Sequence, residues 1–155
     1  MSVNLKLMQE HEFKNFYEIS LKEYADEQVK NGTWDKDEAD SKGRAYFEKL
    51  LPKGLNTEGH KIFNVHSDNE KVGILWLHIF EKDNTLKSFI YDIKIEEIHR
   101  GKGLGKETMQ ALDKYCKSHK IESIKLHVFG HNKIAYSLYE KMGFETTNYY
   151  MEKKL

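Results

Sequence analysis

An alternating run, SFIYDIKI (Ser88–Ile95), leads through EEIHR into GKGLGK and on into ETMQALDKYCKSH, whose apolar residues recur at helical spacing. A second alternating run, IESIKLHVF (Ile121–Phe129), follows. The order is strand, glycine-rich turn, helix, strand. Two strands of one sheet that flank a single crossover helix run parallel. This unit commits the chain to an α/β sheet, and the remaining segments must complete it.

VNLKLM (Val3–Met8) alternates and reads as a first strand. From His11 to Val29 the pattern turns helical: Phe13, Phe16, Tyr17, Ser20, Leu21 and Tyr24 recur three and four apart, and Asn31-Gly32 ends the helix. Thr33 or Asp35 can cap a second helix, to which Ala39, Ala45, Tyr46, Leu50 and Leu51 contribute apolar surface and which Pro52 stops. Strands follow at Lys61–Ser67 and Lys71–Phe80, with turns at Asp68-Asn69-Glu70 and in EKDNT. Gly73 inside an apolar strand predicts a bulge or a close backbone approach. After the central unit, Asn132 caps a helix that Gly143 ends, and FETTNYYMEKKL reads as a last strand. The expected order is β-α-α-β-β-β-α-β-α-β, a single α/β domain over residues 1–155 with a mixed central sheet.

Charge limits the partners. Lys and Arg number 25 and Asp and Glu 25, so no net field recruits nucleic acid or an acidic membrane. No apolar run is long enough to span a bilayer, and MSVNLKLMQEHEF lacks a signal peptide's apolar segment. The single cysteine, Cys116, excludes an internal disulfide and lies on the apolar face of its helix, as a buried thiol would. The eight histidines show no zinc-ligand spacing, so no metal site is expected. A soluble cytoplasmic protein is the expectation.

The glycine turn points to an anion. Gly101, Gly103 and Gly105 let the backbone approach a ligand, and the following helix directs its free N–H groups into the turn. Arg100, Lys102 and Lys106 add positive charge around it. A P-loop is excluded because Gly101 and Gly105 stand one residue too close and Glu107 follows Lys106 where a hydroxyl should be. The dinucleotide pattern G-x-G-x-x-G also fails, because the segment reads G-x-G-x-G.

Arg100, Gly103 and Gly105 fit the Q/R-x-x-G-x-G/A pyrophosphate loop, and the segment resembles that of the GNAT superfamily of N-acetyltransferases. LHVFGHNKIAYSLYEKMGF (Leu126–Phe144) is similar to a second stretch of that family: a strand, an Asn, and a helix ending A-x-x-L-Y-E-K-x-G-F. Asn132, Ala135, Leu138, Tyr139, Gly143 and Phe144 carry the match. Together the two stretches span the C-terminal half, from Ser88 to Phe144, while the N-terminal half fits by element order.

The resemblance implies that the two parallel strands splay and that the pantetheine arm of acetyl-CoA enters the gap. It places the backbone of Ile93 and Ile95, with Lys94 between them, along the pantetheine. It places Gly101, Lys102, Gly103, Leu104, Gly105 and Lys106, with Arg100, around the pyrophosphate, and the Asn132 side chain on the cofactor. It makes Tyr139 the phenol that protonates the departing thiolate. The activity it implies is acetyl-CoA-dependent N-acetyl transfer to a primary amine of a small molecule or peptide, direct and through a ternary complex. A non-catalytic acyl-CoA sensor on the same fold is the alternative.

The amine must be neutral to attack, although an alkylamine's pKa is near ~10, so some group takes its proton. His127, in the second parallel strand, is the first candidate, at a position where some peptide-acetylating members carry Glu. Asp92 and Glu96 are rivals, and Tyr91 is a candidate for the acceptor pocket. His99 and His131 are expected at the surface. Tyr17, Tyr24, Trp34, Tyr46 and Phe47, interspersed with acids, would suit a cationic acceptor. Exposed sheet edges leave a homodimer open.

Overall fold

The computed structural model of the protein describes residues 2–155. Strand β1 (Val3–Leu7) is followed by helices α1 (Glu10–Lys30) and α2 (Ala39–Leu50). Strands β2 (His60–Ser67), β3 (Glu70–Lys82) and β4 (Thr85–Ile95) follow, then α3 (Leu104–Ser118), β5 (Ile121–Leu126) and α4 (Lys133–Lys141). The five strands form one sheet in chain order. Pairing is antiparallel throughout except for β4 and β5, which are parallel as the crossover requires.

Both hairpins close through an Asp-Asn pair in left-handed backbone. Asp68 and Asn69 have φ of 50° and 68°, and Asp83 and Asn84 have 54° and 63°. That is the mirror-image turn whose twist suits antiparallel strands. The sheet buries both faces. On one, Phe63, Leu75, Leu77 and Ile90 pack against Leu104, Met109, Leu112 and Cys116 of α3. On the other, Ile62 and Trp76 pack against Phe16 and Leu21 of α1 and Phe47 of α2. Gly73 fulfils both halves of its expectation. Val65 pairs with Gly73 while His66 pairs with Lys71, leaving Val72 as the extra residue of a bulge. A Cβ on Gly73 would lie 2.1 Å from the Lys94 carbonyl oxygen.

Three expectations are corrected. Helix α2 starts later than Thr33 or Asp35: its cap position is Glu38, whose N–H bonds the Asp35 carbonyl at 3.1 Å. Strand β5 ends at Leu126 rather than Phe129, because its partner β4 turns away there. The last strand does not form. Residues 144–155 pair with no strand among the described residues, and Tyr149 and Tyr150 are 79% and 92% exposed. An alternating pattern makes a strand only where a ladder partner accepts it.

Candidate active site

The site begins with an irregularity in β4. Trp76 pairs with Asp92 and Leu77 with Ile90, so Tyr91 has no partner on β3. This bulge sits where the parallel pairing stops: Ile90 opposite Leu126 is the last β4–β5 pair. Beyond it β4 runs on to Ile95 bonded to β3 alone, and the two parallel strands splay. The Glu96 N–H donates to the Val72 carbonyl at 2.8 Å. Main-chain groups alternate sides along a strand, so those of Ile93 and Ile95 face the open gap. The Ile95 carbonyl accepts a bond from Arg100 Nε at 2.8 Å. Arg100 thereby ties the turn to the strand end.

The turn that follows is built to present N–H groups. Gly101 and Gly103 have φ of +78° and +77°, a conformation that side chains disfavour, and a Cβ on either would meet nothing within 4 Å. Gly103 is the cap of α3 and supplies no side-chain cap bond. Among the described residues, the N–H groups from Gly101 to Lys106 donate to no loop carbonyl or side chain. Buried Leu104 anchors the turn in the core. Gly105 brings it beside α4, since a Cβ there would lie 3.5 Å from Leu138. Lys102 and Lys106 are exposed beside the turn. Lys94 is turned elsewhere: its ammonium pairs with Glu23 of α1 at 2.8 Å.

Helix α4 closes the other side. Asn132 caps it as expected, accepting from the Ala135 N–H at 3.3 Å. Tyr139 is half-buried, its ring edge-on to Phe144 at 5.7 Å. Burial, and then the charge of Asp92, push its phenol above the usual range. Its hydroxyl bonds no other described residue. Asp92 is held by Ser20 Oγ, which donates to Oδ2 at 2.6 Å. Burial raises the Asp92 carboxyl to about 6 although the Ser20 bond opposes it. His127 lies just past the end of β5, exposed by surface area and edge-on to Phe129 at 4.8 Å. The protein around it nevertheless holds its imidazole below its ordinary value. Glu96 lines the rim of a cleft of about 360 Å³ between α1 and β3–β4, with Asp92 and Ser20 in its wall.

On the α1–α2 face the bulge brings aromatic groups together. Tyr24 and Tyr46 stack at 5.2 Å, and Tyr91 packs on Trp76 at 5.0 Å. Burial, then Tyr24 and Tyr91, push the Tyr46 phenol well above the usual range. His60 stacks on His78 at 4.2 Å and accepts the Trp76 indole N–H at 3.0 Å. Burial, reinforced by His78, lowers His60 to about 4, so it is neutral at physiological pH. Of the two histidines expected at the surface, His131 is exposed and bonds Glu27 of α1, whereas His99 is buried, with Nε2 3.4 Å from Glu70.

Sequence reasoning missed Ser20, His60 and His78 and the bulge itself. One signal was available for the bulge. Ile90, Ile93 and Ile95 all pack on the α3 side, and the step from Ile90 to Ile93 breaks the two-residue period.

Comparison with known proteins decides the family. The model of the acetyltransferase (GNAT) family matches residues 13–144. The chain belongs to the GNAT acetyltransferase family. It is an acyltransferase of that family, and its splayed β4 and β5 are the family's parallel pair. It is 39% identical over 100% of both chains to YycN of Bacillus subtilis, named an uncharacterized N-acetyltransferase. It is 36% identical to YdgE of the same organism, likewise named, over 100% of this chain and 99% of that one. The crystal structure of YycN superposes with a TM-score of 0.95 over 99% of each chain, an alignment that runs into the segment beyond α4. A Clostridium acetobutylicum structure with acetyl-CoA shares the GNAT fold at 17% identity, with a TM-score of 0.65 over 98% of this chain and 96% of that one.

Proposed function

We propose that this GNAT domain transfers an acetyl group from acetyl-CoA directly to a primary amine, both held at once between β4, β5 and α4. One observation carries the reading: the outward edge of β4 at Ile93 and Ile95 continues into a turn whose N–H groups from Gly101 to Lys106 have no acceptor among the described residues. Unpaired donors at a helix N-terminus suit a pyrophosphate. An exposed strand edge suits the amide-bearing pantetheine arm. Lys102 and Lys106 would add charge to the pyrophosphate end, and the Asn132 amide would lie against the arm. Lys94, whose ammonium pairs with Glu23 and whose main-chain groups face β3, would act only as the spacer between Ile93 and Ile95.

Acetyl-CoA would supply the acetyl group and a thiolate leaving group. Tyr139 gives its proton to the departing sulfur. A phenol held above its usual range keeps that proton at neutral pH until the sulfur needs it. The amine's proton goes to Asp92, which stands close enough to Tyr139 to affect its phenol and is ionised above about 6. His127, neutral at pH 7, is the second acceptor of that proton. The amine approaches from the α1–α2 face, where Tyr24, Tyr46 and Tyr91 converge, and such a lining favours a cation.

Coenzyme A thiol release against a panel of primary amines tests the reading. Polyamines, aminoglycosides, lysine-containing peptides and aromatic amines would be compared. Release with at least one amine, absent without it, is expected. A protein that binds acetyl-CoA and releases thiol with none of them contradicts it.

A further inference from the structure

We infer that the cleft between α1 and β3–β4 holds the amino-acid head of the acceptor, and that the nitrogen acetylated is the distal amine of a free diamino acid. The inference rests on the transfer reading above and names its substrate class. The cleft, of about 360 Å³, has Ser20 and Asp92 in one part of its wall and Lys71 and Glu96 in another. Asp92 and Glu96 share a face of β4 four residues apart, roughly 13 Å of strand.

The Lys71–Glu96 end carries two opposite charges that the fold leaves free. Lys71 reaches the cleft because of the β3 bulge: Val72 packs on the α3 side with Leu75, so Lys71 falls on the α1 side. Its ammonium donates no hydrogen bond among the described residues, and the Glu12 carboxylate stands 4.0 Å away. Glu12 is already occupied, accepting from Asn64 Nδ2 at 3.0 Å on each oxygen and from the Gln9 N–H at 3.2 Å. The Glu96 N–H bonds the Val72 carbonyl, which brings Glu96 to the same end of the cleft as Lys71. The Glu96 carboxylate forms no hydrogen bond or ion pair among the described residues.

A free ammonium and a free carboxylate at one end of a cleft complement a zwitterionic head, with its carboxylate on Lys71 and its ammonium on Glu96. Between the two ends Phe16, Ile19 and Ile74 offer apolar surface, and Lys94 is neutralised by Glu23. Such a middle suits methylenes. A four-carbon stem like lysine's, with the reach of the acidic side chains at either end, covers the span. A polyamine fits less well, because its second ammonium would meet Lys71 as well as Glu96. The neutral distal nitrogen bonds the acetyl carbon as the carbon–sulfur bond breaks. Its proton passes to Asp92 and that of Tyr139 to the sulfur, and exchange with solvent resets both groups.

Thiol-release kinetics on the full chain test this with L-lysine, L-ornithine, cadaverine (lysine's stem without the carboxylate) and 6-aminohexanoate (the stem without the α-ammonium). Lysine or ornithine should show a kcat/KM at least about tenfold above both truncated compounds, with the acetyl group on the distal nitrogen by fragmentation mass spectrometry. Lys71→Met should abolish the preference over cadaverine, and Glu96→Gln that over 6-aminohexanoate, each through KM rather than kcat. Equal rates with a truncated compound, acetyl on the α-nitrogen, or variants that leave the ratios unchanged would overturn the inference. If no amine releases thiol, calorimetry with lysine on the acetyl-CoA-loaded protein separates the two readings. Lysine binding that Lys71→Met weakens would uphold the cleft and overturn the transfer reading, whereas absence of lysine binding would overturn the cleft.

Discussion

Ser20 of α1 reaches across 72 positions of sequence to donate a 2.6 Å hydrogen bond to Asp92 at the β4 bulge. The bond stabilises the ionised carboxylate and so opposes the burial that raises Asp92 to about 6. If Asp92 takes the amine's proton, the rate rises with pH as Asp92 ionises, with an acidic limb near about 6. Ser20→Ala should move that limb upward by roughly half a pH unit to one. A limb unmoved in Ser20→Ala but abolished in His127→Asn would transfer the role to His127.

The same group makes a stability prediction. Asp92 has a folded pKa of about 6 against an ordinary 3.8, so folding favours its protonated form. Its ionisation therefore destabilises the fold as pH rises from about 4 to 6, and the full cost is present above that window. The cost is on the order of 3 kcal/mol. Asp92→Asn does not titrate, so wild-type stability relative to this variant should fall between pH 4 and pH 7.5. Urea unfolding at the two pH values measures this, and a constant difference would contradict it.

Tyr139→Phe keeps the ring against Phe144 and removes only the hydroxyl. Turnover should drop by about 10²-fold or more, while acetyl-CoA affinity changes less than about threefold. Single-turnover rates with direct binding measurements separate the two. Unchanged turnover would remove Tyr139 as the acid.

Gly73→Ala would place a Cβ 2.1 Å from the Lys94 carbonyl oxygen. Backbone must shift to admit it, at a cost of about 2–4 kcal/mol. The shift would also displace the Ile93–Ile95 edge. A lower urea midpoint together with weaker acetyl-CoA binding is expected, and a variant as stable as the wild type would contradict the close approach.

Much of this was readable in the sequence, for physical reasons that vary by element. The crossover helix fixed the parallel pair, and three glycines with flanking cations fixed the turn, because few conformations satisfy either pattern. The N–H groups that those residues present were implied by helix geometry alone. The Ser20–Asp92 bond was not legible: it joins elements whose contact depends on how α1 packs over the sheet. Lys94 was placed by backbone position, and its side chain followed the strand's alternation to Glu23 instead. The last strand failed for another reason. Tyr149 and Met151 alternate as a strand's residues do, but pattern cannot say whether a ladder partner is there to accept them, and among the described residues none pairs with them.

Calorimetric titration with acetyl-CoA, on the wild type and on Gly103→Glu, tests the central claim most directly. Gly103 has φ of +77° with open space above it, so Glu there strains the turn and places a carboxylate where the pyrophosphate would sit. Micromolar binding to the wild type, weakened at least about tenfold in the variant, is the predicted result. Absence of binding to the wild type, or equal affinity in both proteins, would contradict the placement of acetyl-CoA on this turn.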